Sequence, residues 1–338
     1  MTRSISFVTG TWLLSEALSM KVAVLAGGVG GARMALGFAG IVPADDLSII
    51  VNVGDDDRFH GLYVCPDLDT VLYTLSGVVD RTQSWGAADD GTRALEVLRK
   101  LNSPGAWMKL GDADLGLHLY RTSRLAQGAS LTAVTEEVSH RFGVHCALLP
   151  VSDEECPTMV ESATGLLRFQ EWFVRDRAGP AVKKLRFQAA HRAQITDRVR
   201  AALRAADIVV LAPSNPYLSI LPMLEVGGMR EALHHAPGLK VAVSPLIGGR
   251  AIKGPLVKLM SDLGIGSSNS DIAAIYSDFV DVFVVDDGDT RDAANFSRGC
   301  ALQVTAMPIL IPDAPRAEDL ARRLIELASA RRTTGVAG

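Results

Sequence analysis

Lys21-Val-Ala-Val-Leu-Ala-Gly-Gly-Val-Gly-Gly-Ala-Arg-Met-Ala-Leu-Gly-Phe38 decides the fold of this chain. The apolar run Lys21–Leu25 reads as a buried strand, and Met34–Phe38 as the start of a helix. Four glycines between them let backbone approach a ligand without Cβ obstruction. The helix would then present free N–H groups and its positive dipole end, a natural phosphate cradle. The expectation is a nucleotide or diphosphate at the edge of a parallel sheet, set against a plain strand-to-helix turn. A dinucleotide fingerprint, G-x-G-x-x-G, is imperfect, because Arg33 stands where its third glycine would be. A Walker A loop is excluded, since no G-K-[ST] is present.

Working outward, Leu47–Val53 supplies a second strand at βαβ spacing, ending in Gly54-Asp55-Asp56-Asp57. Asp67–Leu75 reads as a helix with an acidic first turn, closed by Gly77. Helical pattern then runs from about Asp89 to Phe142, including a segment that places His118 and Arg121 on one face. Val144–Leu149 reads as a strand. Thr158–Ala163, Leu166–Val174 and Val182–Ala189 read as antiparallel strands. The α/β rhythm resumes with strands Asp207–Leu211, Leu239–Val243, Val280–Val285 and Ala301–Ala306, then a helix over about Ala317–Ala330. The expected fold is α/β and Rossmann-like, with a mostly parallel central sheet and an α+β insertion. Residues 20–104 and 191–338 would form the nucleotide-binding core, 105–190 the insertion, and 1–19 a non-core extension with Met20 as the functional start.

The chain has 338 residues, 48% of them hydrophobic, which is enough for one large α/β unit with an insertion or for two domains. A net charge of −4 argues against broad electrostatic binding to nucleic acid or an anionic membrane. No apolar run reaches the length of a membrane span. The segment Thr11–Leu18, interrupted by Glu16, is too short and polar for a signal sequence. Cys65, Cys146, Cys156 and Cys300 form no C-x-x-C pair, so free thiols in a cytoplasmic protein are expected.

Five strands end in loops of Gly, Ser, Asn, Pro or Asp, which in an open parallel sheet share one edge. Asp55, Asp56 and Asp57, with Asp67 and Asp69 soon after, suit Mg²⁺, which takes one or two carboxylates plus phosphate oxygens. Asp67 and Asp69 could equally cap a helix, and Asp55 could hold a ribose hydroxyl. Ser214-Asn215-Pro216 and Ser244-Pro-Leu-Ile-Gly-Gly249 offer hydroxyl, amide and bare backbone donors for a base, ribose or phosphate, or are ordinary turns. Lys253 could meet a phosphate. Arg121 could clamp one bidentately. No nucleophile elbow or cysteine motif supports a covalent intermediate, so direct attack by a substrate hydroxyl is the economical chemistry.

Together these motifs resemble the 2-phospho-L-lactate transferase family of deazaflavin coenzyme F420 biosynthesis. The resemblance runs from Met20 to about Asp289. It is carried by L-A-G-G-V-G-G-A-R at Leu25–Arg33, V-N-V-G-D-D at Val51–Asp56, and H-G-L-Y-V-C-P-D-L-D-T-V-L-Y-T-L at His60–Leu75. L-G-D-A-D-L at Leu110–Leu115, R-T at Arg121–Thr122, F-Q-E-W-F-V-R at Phe169–Arg175, A-P-S-N-P at Ala212–Pro216 and S-P-L-I-G-G at Ser244–Gly249 complete it. It implies a Mg²⁺-dependent reaction. The ribitol hydroxyl of the deazaflavin Fo attacks a guanosine diphospho-three-carbon-acid donor and GMP leaves. Carried over by motif, Gly28, Gly30 and Gly31 would face the donor phosphates. Asp55 and Asp67 would be catalytic, with Asp55 and Asp69 holding the metal. Asp56, His60, Thr70, His118 and Arg121 would line the substrate pocket. Ser214, Asn215, Pro216, Ser244, Gly248 and Gly249 would hold the guanosine part. A homodimer is implied. The chain departs from the family at Ala113, where arginine is usual, and at Asp57, where alanine is common. A different three-carbon acid is therefore open. The rival readings are a nucleotide-sugar-binding regulator from a related branch and an NAD-dependent oxidoreductase.

Overall fold

The computed structural model describes residues 20–251, 254–290 and 302–335. The expected extension 1–19, Lys253 and Cys300 lie outside the described residues.

The central sheet has seven strands. They are β1 (Val22–Ala26), β2 (Leu47–Val51), β5 (Ala147–Pro150), β9 (Ile208–Leu211), β10 (Leu239–Val243), β13 (Val282–Asp286) and β14 (Gln303–Met307), in the order β14-β13-β10-β9-β1-β2-β5. Every pairing in it is parallel. This is why its inner strands are unbroken apolar runs: helices cover both faces, so alternation has no solvent side to serve. All five residues of β1 are buried, as are all four of β9. The chain runs outward from β1 through β2 to β5, then returns to the centre and runs the other way from β9. The β1–β9 junction is therefore a topological switch point, where an open α/β sheet forms its crevice.

Two helices bracket that crevice. α1 (Gly28–Ala39) leaves β1, and α2 (Pro66–Leu75) packs beside it. α2 is reached through a two-stranded hairpin, β3 (Asp57–Phe59) and β4 (Leu62–Val64). α1 also packs on the C-terminal helix, whose Ala317 carbonyl lies 2.3 Å from where a Cβ on Gly37 would sit. The close approach of the two backbones excludes any larger residue there.

The expected insertion is divided in the structure. α3 (Asp112–Ala126) and α4 (Leu131–Arg141) precede β5, which joins the main sheet at its edge beside β2. Only the excursion β6 (Thr158–Ser162), β7 (Gly165–Arg168) and β8 (Val182–Phe187) forms a separate antiparallel sheet. The expected strand Leu166–Val174 stops at Arg168, and Glu171–Arg175 turns into a π-helix that buries Trp172. The ring Nε1–H donates to the Pro180 carbonyl at 2.9 Å, so the indole is satisfied only if the strand ends.

Candidate active site

A cavity of about 510 Å³ opens at the carboxyl ends of β1 and β9. The glycine loop forms one wall. Gly28 has φ +60°, a left-handed conformation natural to glycine, and its N–H donates to Asp67 Oδ1 at 2.6 Å. Gly30 is glycine for another reason: a Cβ there would stand 2.4 Å from the carbonyl oxygen of Pro213. Ser214 completes the clasp. Its hydroxyl accepts from Gly27 N–H (3.1 Å) and donates to the Gly27 carbonyl (2.8 Å). Gly31 is buried beneath, where a Cβ would meet Ser214 Oγ at 2.8 Å, and does not line the cavity. Gly28 and Gly30 do.

The acidic residues divide into four environments. Asp55 and Asp67 are buried and line the cavity, and both accept from one Asn52 amide nitrogen, at 3.5 and 3.0 Å. Burial pushes the Asp55 carboxyl well above the usual range, reinforced by the charges of Asp67 and Asp56. Burial raises Asp67 to about 6, against hydrogen bonds from Asn52, Gly28 and Ser219 that hold it down. Asp69 also lines the cavity, but Arg121 binds both its oxygens: Nη2 on Oδ1 and Nη1 on Oδ2 at 3.2 Å. Asp56 lies behind, buried and off the cavity, with the Cys65 thiol and the Tyr63 hydroxyl turned toward its carboxylate. Burial raises its carboxyl as well. Asp57 pairs with Arg168 Nε at 2.7 Å, while Gln170 Nε2 donates to the Asp55 carbonyl at 3.4 Å. The β6–β8 excursion thus braces the acidic loop.

Arg121 was expected to face substrate; it is buried behind the wall instead. Beyond Asp69, its Nη1 reaches the Tyr63 carbonyl (3.4 Å) and His118 Nδ1 (3.3 Å). His118 does line the cavity, as does Thr70. Burial, helped by the Arg121 charge, lowers His118 to about 4, so the ring is neutral near pH 7.

Several other expected residues stand away from the cavity or spend their side chains on the fold. His60 has φ +54° in the β3–β4 turn, with Nδ1 3.0 Å from Ser103 Oγ. Asn215 lines the cavity, yet its side chain caps the next turn, accepting from Tyr217 N–H and Leu218 N–H; Pro216 is buried beside it. Ser244 is fully buried, bonded to Asn269 Oδ1 at 2.5 Å and to Leu246 N–H. Gly248 and Gly249, at φ +58° and +70°, turn the short hairpin from β11 (Leu246–Ile247) to β12 (Arg250–Ala251). Asn215, Pro216, Ser244, Gly248 and Gly249 are loop residues at strand ends, and His60 follows the acidic loop. Strand ends need caps and turns as much as they need ligands.

Other lining residues are absent from the sequence-based set. Phe169 and Phe173 stack at 5.3 Å with 10° between ring planes, and Met108 and Leu110 add apolar wall. Trp85 stands at the rim under Lys109 Nζ, 5.7 Å from its ring centre. Tyr73 donates its hydroxyl to Asp114 Oδ1 at 2.9 Å, and both line the cavity. Arg33, in the third-glycine position of the loop, reaches the rim and ties Ile311 O (2.8 Å) to Ser84 Oγ (3.2 Å). Asp114 and Phe169 fall inside L-G-D-A-D-L and F-Q-E-W-F-V-R, so the segments are visible in sequence although the roles of single side chains are not.

The site is therefore a switch-point crevice at the carboxyl edge of a Rossmann-like α/β sheet, with a glycine-loop helix terminus, a buried acidic pair and an apolar wall. The profile of the family described as 2-phospho-L-lactate transferase CofD matches residues 22–306, and the chain belongs to that family of phospho-acid transferases. It is 37% identical over 333 residues to the phosphoenolpyruvate transferase of Mycobacterium tuberculosis, covering 91% of this chain and 99% of that one. It is 36% identical to the phosphoenolpyruvate transferase of Kitasatospora aureofaciens, with 91% and 98% covered. A crystal structure of a Bacillus halodurans protein shares the fold at TM-score 0.58 and 18% identity, covering 90% of this chain.

Proposed function

We propose that this protein transfers a phospho-three-carbon-acid group from a guanosine diphospho donor to the ribitol hydroxyl of Fo, releasing GMP, in a Mg²⁺-dependent step of F420 biosynthesis. The observation that carries the reading is the pairing of Asp67 with the glycine loop. One buried carboxylate touches the helix terminus suited to phosphates and shares Asn52 with a second carboxylate, Asp55. The names of the curated relatives favour phosphoenolpyruvate as the transferred acid.

Two buried, adjacent carboxylates without a cation of their own suit a divalent metal. Among the described residues no group of three or more His, Cys, Asp or Glu is arranged to hold one. Mg²⁺ at this edge would take Asp67 or Asp55 together with substrate phosphate oxygens. Asp69, first expected as a ligand, is committed to Arg121. When bound, Mg²⁺ would neutralise charge on the diphosphate. The amides opening α1 would hold the donor phosphates. Asp55 keeps its oxygens freer than Asp67 does, with a single contact of 3.5 Å to Asn52, and would accept the proton of the attacking hydroxyl. The oxygen then bonds to the acid-bearing phosphorus, and the bond from that phosphorus to the GMP oxygen breaks. The apolar wall of Phe169, Phe173, Met108 and Leu110 suits the flat deazaflavin.

The test is incubation with Fo, Mg²⁺ and each guanosine diphospho-acid in turn (phosphoenolpyruvate, phospholactate and phosphoglycerate forms), followed by mass spectrometry. GMP and a new deazaflavin phosphodiester are expected with at least one donor. An Asp55→Asn variant that keeps full activity would remove Asp55 from the mechanism.

A further inference from the structure

Asp114 and His118 stand one helical turn apart on α3, on the same face, and both open onto the cavity beside Tyr73, Val64 and Leu110. Neither side chain is used by the phosphoryl-transfer chemistry above. Each is held in one hydrogen-bonding state by groups behind it.

For His118 the state follows from Arg121. A guanidinium can only donate, and its Nη1 lies 3.3 Å from His118 Nδ1. Nδ1 must therefore accept, and the ring proton sits on Nε2. Asp69 cannot reverse this, since its Oδ2 is 3.7 Å from Nδ1 and already takes Nη1 of Arg121. The ring thus has one polar group left for the cavity, an N–H donor. For Asp114, Oδ1 accepts from Tyr73 and Oδ2 from Gly111 N–H at 3.1 Å. Each oxygen retains acceptor capacity, and the carboxylate would repel a phosphate brought to this end.

We infer that Asp114 and His118 together read a carbonyl–N–H edge on the acceptor's fused ring: Nε2–H donates to the ring carbonyl, and the neighbouring ring N–H donates to the Asp114 carboxylate. The pyrimidinedione edge of a deazaflavin presents that pattern between its two carbonyls. This inference rests on Fo being the acceptor. It adds the two residues that select the ring and leaves the phosphate end to the glycine loop. Arg121 acts through His118 as a positioning residue.

The experiment is a titration following Fo fluorescence on the intact protein, with GDP binding measured in parallel. His118→Phe should weaken Fo binding about 10- to 100-fold, since a buried carbonyl would lose its donor. His118→Gln, whose amide can still donate, should recover part of the loss. Fo methylated at the ring N–H should bind wild type about 10-fold or more weakly, and Asp114→Asn should then add little further loss. GDP affinity should stay within about twofold throughout. The N-methyl arm uses unaltered protein, so misfolding of a variant cannot mask the answer. Wild type binding Fo while methylation and both substitutions leave its affinity unchanged would overturn the assignment. Loss of GDP rather than Fo binding would also overturn it, since guanine carries its own carbonyl–N–H edge. A wild type that turns over GDP-linked donor with another acceptor but never binds Fo would overturn the acceptor reading, and this pair with it.

Discussion

Replacing Arg121 by methionine separates two roles for this cation. From sequence it could clamp a donor phosphate; in the structure it neutralises Asp69. Both side chains are buried, and the guanidinium binds both carboxylate oxygens as well as the Tyr63 carbonyl and His118. Removing one partner of such a pair leaves a buried charge uncompensated, which typically costs about 3–5 kcal/mol. At about 2 °C per kcal/mol for a large chain, the melting temperature should fall by roughly 6–10 °C. The partner variant Asp69→Asn should also destabilise, but Asp69→Asn/Arg121→Met should not sum the two losses. The shortfall should be on the order of 1–3 kcal/mol, because the pair is gained or lost as a unit. The assay is urea unfolding of the four proteins, with GDP binding measured on each. An Arg121→Met variant within about 1 kcal/mol of wild type that had lost GDP binding at least tenfold would refute the buried-pair account. It would restore Arg121 to the phosphate.

Other outcomes can be checked alongside. Asp67 is raised to about 6 when folded, so its contribution to stability is greatest below the ordinary carboxylate range and is lost as pH rises through about 6. The metal-free protein should lose that increment between about pH 4 and pH 6, and Mg²⁺ with GDP should return stability at pH 7; thermal melts across pH with and without Mg²⁺ test both. His118 runs oppositely: lowered to about 4, it contributes stability above its ordinary value that fades as pH falls, and His118→Gln should flatten this part of the profile in the same melts. Gly30→Ala should disturb the switch point, because the Cβ would stand 2.4 Å from Pro213 O. A cost of about 1–3 kcal/mol is expected from denaturant unfolding, with a loss of GDP binding that calorimetry would detect. Asp57→Ala should cost less than about 1 kcal/mol by the same unfolding assay, since Arg168 is 38% exposed, even though the pair braces the acidic loop.

Much of the fold was legible because buried parallel strands and covering helices leave strong marks. Lys21–Leu25 and Asp207–Leu211 are continuous apolar runs, and those runs became β1 and β9 at the centre of the sheet. The placement of β5 was not legible. An edge strand of four residues between a helix and an antiparallel excursion can belong to either, and only pairing with β2 decides. The strand expected through Val174 failed because Phe169, Trp172 and Phe173 are as suited to a strand as to a turn. Burial of Trp172 against Pro180 is a tertiary fact. At the site, spacing brought Asp55, Asp67 and Asp69 to one place, but it could not say which carboxylate would be neutralised by Arg121. That choice depends on how α3 sits beside β4 and reaches α2, which brings together residues 52 positions apart in the chain.

The glycine loop shows why a motif can be right for reasons other than direct ligand contact. Gly30 is demanded by the Pro213 carbonyl, Gly31 by Ser214, and only Gly28 by its own backbone angle. Those contacts fasten the β1 loop to the β9 loop across the switch point, and Ser214 bridges both polar groups of Gly27. The loop is therefore fixed before any ligand arrives. Asp67 inherits that fixity through its bond to Gly28 N–H and passes it to Asp55 through Asn52. The proposed direct transfer, with no protein nucleophile, would depend on placing two substrates and their charges correctly, and rigid placement is what such an arrangement supplies. The aromatic wall and residues of α3 line the same cavity as the acidic pair. On the proposed reading, the acceptor could vary there without disturbing the phosphate end.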